Sequence, residues 1–189
     1  MKKFVTLLLL ALALTAFAQD HMKFMGIPIN GQLSTFCQAL EKKGFTQYQM
    51  YSNAAVYSGL FTGRPAYVMV EITPKSKVVE DVVVIYDYYK WEDMEAIYDE
   101  IKVKLAAKYS EPVKVEELGT YGAHDYDLKG KIESGSIVRE TRFETNLGKV
   151  IVGIDIIDVN DVLPSPHAFV AYVDKANQAK GEQEADDDL

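Results

Sequence analysis

Trp91, Met94, Tyr98, Ile101, Leu105 and Tyr109 recur at spacings of three and four within WEDMEAIYDEIKVKLAAKY, residues 91–109. That spacing stacks the side chains along one stripe of a helix, and such a stripe has to be covered by another layer. Each large side chain contributes about 1.5–3 kcal/mol on burial, so this helix is among the largest apolar contributions available to the chain. Glu92 and Asp93 in the first turn and Lys104 and Lys108 near the end suit the macrodipole, and Pro112 stops the helix. Two positions break the usual pattern. Lys90 stands where Ser, Thr, Asp or Asn would cap the start, and Ser110 stands where a left-handed Gly would end it.

The remaining chain reads as strands around this helix and a shorter one. Asn30 is placed to cap a helix over 31–43 with an apolar face of Leu33, Phe36, Cys37 and Leu40, and Gly44 is placed to end it. Strands follow over 47–51 and 55–62. In 66–73, Ala66, Val68, Val70 and Ile72 share one face and Tyr67, Met69, Glu71 and Thr73 the other. The consecutive Val82, Val83, Val84 and Ile85 within 78–88 predict a central strand covered on both sides. After the long helix, a short strand over 113–117 and an irregular, polar stretch over 119–136 lead to strands over 137–145, 149–158 and 169–174. A loop spans 160–167.

The pattern predicts an α+β fold, an antiparallel sheet or sheets packed on two main helices. Two readings stand: two similar helix-plus-sheet halves, about 30–89 and 90–174, or one continuous sheet. Residues 19–174 form a single domain by length. Residues 175–189 lack apolar periodicity, end in Asp-Asp-Asp-Leu, and are expected to be a disordered acidic tail.

Lys2 and Lys3, the apolar run 4–14 and Ala16-Phe17-Ala18 predict a cleaved secretory signal peptide over 1–18, with no stable membrane anchor afterwards. Export to the periplasm or beyond is the expected localisation. With 28 acidic against 20 basic residues, the chain carries a formal charge of −8, which disfavours nucleic acid and anionic lipid as partners. Its single cysteine, Cys37, allows no internal disulfide and lies on an apolar helix face.

Three stretches carry a resemblance: FMGIPINGQLSTFCQALEKKGF, SGLFTGRPAYVMVEITPKSKVVEDVVVIY and WEDMEAIYDEIKVKLAAKYSEP. Over about residues 22–112 the chain resembles uncharacterised secreted proteins of gut and oral Bacteroidetes. In those, an N-terminal segment and helix end in KGF, a strand pair follows, and then a helix running from Trp to a KYG-P end, where this chain has Ser110. The resemblance implies an exported α+β protein of the cell envelope and supplies no catalytic residue.

Sequence motifs for chemistry are sparse. His21, His124 and His167 are scattered, without HExxH or paired cysteines, so no metal or other cofactor is expected. His124 with Asp125 and Asp127 reads as solvated loop chemistry. Asp155, Asp158, Asn160 and Asp161 do not fit the EF-hand spacing. No Gly-x-Ser-x-Gly elbow occurs, and paired carboxylates carry no information in so acidic a chain. The more informative signal is tyrosine: of 12, Tyr48, Tyr51, Tyr57, Tyr67, Tyr86, Tyr88 and Tyr89 fall in or beside the first-half strands. Rigid amphipathic rings suit contacts with protein, peptide or glycan, and Tyr67, Met69, Tyr86, Tyr88 and Tyr89 are the candidate contact surface; the competing reading packs them under helices or in cross-strand pairs. The expected function is a non-catalytic exported binding protein, with a carboxylate hydrolase of glycans or peptides, or a structural envelope component, as alternatives. Two helix-plus-sheet halves also occur in secreted inhibitors of extracellular enzymes, an analogy of fold alone.

Overall fold

A computed structural model of the protein describes residues 20–88, 90–116, 139–157 and 165–186. In chain order the elements are β1 (Lys23–Phe24), β2 (Ile27–Pro28), α1 (Leu33–Glu41), β3 (Thr46–Met50), β4 (Ala54–Phe61), β5 (Arg64–Ile72) and β6 (Val79–Tyr86). Then follow α2 (Trp91–Tyr109), β7 (Lys114–Glu116), β8 (Arg139–Glu144), β9 (Gly148–Ile157), β10 (Ser165–Asp174) and α3 (Lys175–Asp186).

The strands β3 to β10 form one antiparallel sheet in the order β3-β4-β5-β6-β10-β9-β8-β7. Each half of the chain supplies a helix followed by four strands, and the last strands of the two halves, β6 and β10, pair side by side from Val173↔Asp81 to Phe169↔Ile85. The α+β architecture thus contains two halves of similar plan within one continuous sheet.

Both main helices lie on the same face. On α2, Met94, Ile97, Tyr98, Ile101 and Leu105 are buried against β8, β9 and β10. The buried Tyr98 hydroxyl meets Thr141 Oγ1 at 2.7 Å, and the Arg139 guanidinium lies over the Tyr98 ring at 4.3 Å while bonding Glu95. Shorter α1 turns Phe36, Cys37 and Leu40 inward over β3, β4 and β5. Ala66, Val68, Val70 and Ile72 supply the matching sheet face, as their alternation predicts. Gly44, at φ 93°, lets the chain leave α1 so that Phe45 folds back into the core. Burial also pushes the Cys37 thiol above its ordinary pKa, as befits a small core hydrophobe.

Two helices do not cover eight strands, and the gap over the β6–β10 seam is filled from the N-terminal segment. That segment forms a hairpin: Met25 and Gly26, at φ 49° and 84°, make the turn between β1 and β2. Phe24 is thereby driven onto the seam, 5.5 Å from the Phe61 ring and 5.4 Å from that of Tyr172.

Three further expectations are corrected. Asn30 does not cap α1, whose N-cap position is Gln32; its side-chain oxygen faces Asn177 instead. The segment 165–168, read largely as loop, belongs to β10 and places His167 in the sheet. The C-terminal segment read as a disordered tail is helix over Lys175–Asp186. It docks through polar contacts that leave no apolar period. Asp174 accepts from Ala176 N and Asn177 N, Asn177 Nδ2 donates to the carbonyls of Ile29 and Val79, and Glu184 accepts from Lys75 N and Ser76 N. These Ser76 and Lys75 donors pull Glu184 down to about 2. The predicted leader 1–18 and the stretch 119–136 lie outside the described residues.

Two predictions follow from these ends. Ser110 sits at φ 72°, ψ −158°, a region kept almost wholly for glycine; Ser110→Gly is expected to stabilise the protein by about 1 kcal/mol in urea unfolding, and an unchanged or lowered midpoint would contradict the strain. Glu184→Ala should leave the sheet intact but free α3, read as faster amide exchange confined to 75–78 and 175–186.

Candidate functional site

Strand register fixes which side chains share the sheet face opposite α1 and α2. One cross-strand row runs Val56, Met69, Val83, Ala171, Ile151 and Arg142 across β4, β5, β6, β10, β9 and β8. A second runs Ser58, Tyr67, Ile85, Phe169, Gly153 and Glu140. The face is therefore apolar across its middle and charged on β8. Val56 and Ile85 are buried there, and Tyr51, Tyr67, Met69, Val83 and Ile157 pack around them.

The five candidate contact residues divide accordingly. Tyr67 and Met69 stand half-buried on the helix-free face. Tyr86 does not: it shares the parity of Val82 and Val84, is fully buried under the helices, and meets Thr62 Oγ1 at 3.2 Å through its hydroxyl. Tyr88 packs against that same helix-side core. Tyr89 lies outside the described residues. The residue to add is Tyr48, whose ring meets Tyr67 edge-on at 5.1 Å between centroids and is 47% exposed. The break in β3–β4 register between Gln47 and Gln49 is a bulge at this tyrosine, which local alternation does not reveal. Leu60, 63% exposed, extends the apolar character of this face, whereas Met50, paired with the core residue Ala55, has the parity of the helix side.

A third row, toward α3, is acidic. Glu71 is the direct partner of Asp81, and Glu80 is the extra residue of a β6 bulge beside them. Burial first, then the Glu71 charge and a hydrogen bond to it, push Asp81 up to about 8, with Lys149 opposing. Burial and the charges of Glu71, Glu184 and Glu182 raise Glu80 as well. Asp81 and Glu80 line an open cleft of about 430 Å³ between the sheet and α3, together with Lys149, Ile151, Val173 and Glu182. A carboxyl held protonated by burial, close to a second carboxyl, is an arrangement general acid–base catalysis uses. The pair was invisible in sequence because it depends on pairing register rather than on a motif.

His167 is buried on β10, its Nδ1 3.2 Å from the Tyr86 carbonyl and its Nε2 3.0 Å from Ser165 Oγ. Burial lowers its pKa and keeps the imidazole neutral. Of the acidic loop residues considered for calcium, Asp155 is on β9 with Oδ1 accepting from Ile156 N; Asp158, Asn160 and Asp161 lie outside the described residues, as do His124, Asp125 and Asp127. Among the described residues no group of three or more His, Cys, Asp or Glu side chains is arranged to hold a metal ion.

No family model matches the chain, and neither a curated protein nor a solved structure matches it.

Because the folded pKa of Asp81 lies above the unfolded one, its contribution is fully present below about pH 4 and is lost as pH rises toward 8. Urea unfolding at pH 5 and pH 8.5 should show the parent losing stability across this window. Asp81→Asn should lose much less and exceed the parent at pH 8.5 by about 1–3 kcal/mol; equal slopes would place the carboxyl in water.

Proposed function

We propose that the protein is an exported, non-catalytic binding module of the bacterial cell envelope that presents the β3 side of its helix-free face to a protein, peptide or glycan. The observation that carries this reading is the exposed Tyr48, edge-on to Tyr67, on a face whose middle, with Met69, Val56 and Val83, is apolar. Rings fixed by one another present contact area at little cost in side-chain freedom. The edge itself supports it. β3 reads TQYQM, without a charge or proline, whereas the opposite edge strand β7 reads KVE. Exposed edges are ordinarily blunted by charge or proline, so a neutral one beside aromatic side chains suits an added strand or a flat partner surface. Export rests on the basic and apolar run of residues 1–18. Among the described residues no helix is long and apolar enough to cross a membrane.

The Glu71–Asp81 pair favours a second reading, a hydrolase of glycans or peptides in which Asp81 is the acid. The same Asp81→Asn variant separates the two: as a hydrolase the protein loses turnover of envelope glycans or peptides, as a binding module it retains its partner.

The direct test uses Tyr48→Ala combined with Leu60→Lys. These side chains are 47% and 63% exposed, so the melting temperature should move by no more than about 2 °C. A partner cross-linked by the parent in envelope extract and lost by the variant supports the β3 side; equal capture by both places binding elsewhere.

A further inference from the structure

The described N-terminal end is laid against the far end of α2 and the β8–β9 turn, and the three enclose a cleft of about 500 Å³. Its side chains are unlike the rest of this acidic chain. Lys23, Lys108 and His21 line it, with Asp20 as the one acid among the lining residues. Lys23 has no ion pair among the described residues, and Lys108 lies over the Tyr109 ring at 4.6 Å rather than against a carboxylate. The carbonyls that end α2 present about half a negative charge, which accounts for less than one of these cations.

One wall is held firmly. The Asp174 carboxylate, 1% exposed, accepts from Met22 N at 2.8 Å and meets His21 Nδ1 at 3.1 Å, while also accepting from Ala176 N and Asn177 N at the start of α3. With Nδ1 engaged by that carboxylate, Nε2 is the ring nitrogen left for a ligand. Thr145 is spent on Met22 Sδ and the Gly148 carbonyl, and its oxygen accepts from Leu147 N and Gly148 N. Polar recognition in the cleft therefore falls to Lys23, Lys108, His21 and Asn146, with Tyr109 and Leu147 as apolar contacts.

We infer that this cleft binds a sugar-sized organic anion, whose carboxylate or phosphate is taken by Lys23, Lys108 and His21. The site is separate from the β3 side of the helix-free face and stands whether or not that face binds a partner. Two cations on separate elements, one fixed imidazole and an open mouth suit a small anion that exchanges readily. A nucleic acid or an anionic bilayer presents far more charge than two lysines neutralise, and the surrounding acids repel both.

The test is amide chemical-shift mapping on protein purified after expression of the full chain, at pH 7 and low salt. Its probes are glucuronate, glucose 6-phosphate and, as the neutral control, glucose. Saturable shifts at Lys23, Tyr109 and Asn146 with either anion, and none with glucose, are expected; which anion binds more tightly distinguishes a carboxylate from a phosphate ligand. Lys23→Gln and Lys108→Gln should each weaken binding about tenfold, the loss of one charge-assisted hydrogen bond, whereas Lys43→Gln on exposed surface should leave it unchanged. Equal shifts with glucose, none with either anion at millimolar concentration, or undiminished binding by the double Lys23→Gln, Lys108→Gln variant would each overturn the inference.

Discussion

The pairing of β6 with β10 is the constraint on which the rest of the molecule depends. Each half supplies only four strands and one helix, and the strand that ends each half would stand as an open edge if the halves were apart. Joining them antiparallel removes two edges and buries Val82, Val84, Val170 and Tyr172 beneath the seam. The seam runs between the territories of α1 and α2, so it needs its own cover. Phe24 provides it, and this explains why one face of a hairpin of two-residue strands, Phe24 and Ile27, is buried while Lys23 and Pro28 stay exposed. The hairpin in turn is tied to Asp174 through Met22 N, so the first and last described elements hold the middle of the sheet together.

Concentrating both main helices on one face has a consequence for the other. The helix side carries most of the large buried side chains, whereas the helix-free side has a small apolar cluster and several half-exposed residues. Truncating a core residue such as Phe143 or Tyr98 costs about 3–5 kcal/mol, while a surface residue such as Tyr48 costs a fraction of one. Stability and surface chemistry are thus assigned to opposite faces. Asp81 is the exception. It is desolvated on the face opposite α1 and α2, beside α3 and next to Glu71 and Glu80, and the fold keeps it there at the expense of stability near neutral pH.

What was legible in the sequence follows from which forces leave a periodic trace. The α2 stripe and the alternation in β5 reflect burial of one face, and both elements appear with the expected faces. Ile97 was missed on α2 because it broadens the stripe without extending it. Tyr86 could not be assigned to a face from sequence because Val82 through Ile85 are apolar without interruption, so the strand gives no parity of its own; it packs under the helices, the competing reading. The C-terminal helix left no trace at all: Asn177, Gly181 and Glu184 are its buried residues, and polar docking has no hydrophobic period to read. The acidic pair and the cationic cleft are products of register and of chain ends meeting in space, and neither depends on local sequence.

The distribution of charge then bears on how such a surface selects partners. The third row of the helix-free face, Glu71, Asp81, Lys149 and Glu144, carries a net negative charge, and Glu80 and Glu182 add to it from the cleft beside α3. Lys23 and Lys108 face a different opening, between the N-terminal segment, the end of α2 and the β8–β9 turn. At physiological ionic strength, charges separated by more than about 8 Å are largely screened, so each opening answers to its own local sign rather than to the −8 of the whole chain. An apolar surface bordered by acids repels anionic neighbours and tolerates neutral or cationic ones, which gives selectivity without a deep pocket. The neutral β3 edge lies outside both charged regions. On the proposed binding reading, contact there is governed by backbone pairing and by the fit around Tyr48, terms that salt weakens little, whereas the anion binding proposed for the Lys23–Lys108 cleft weakens as salt rises.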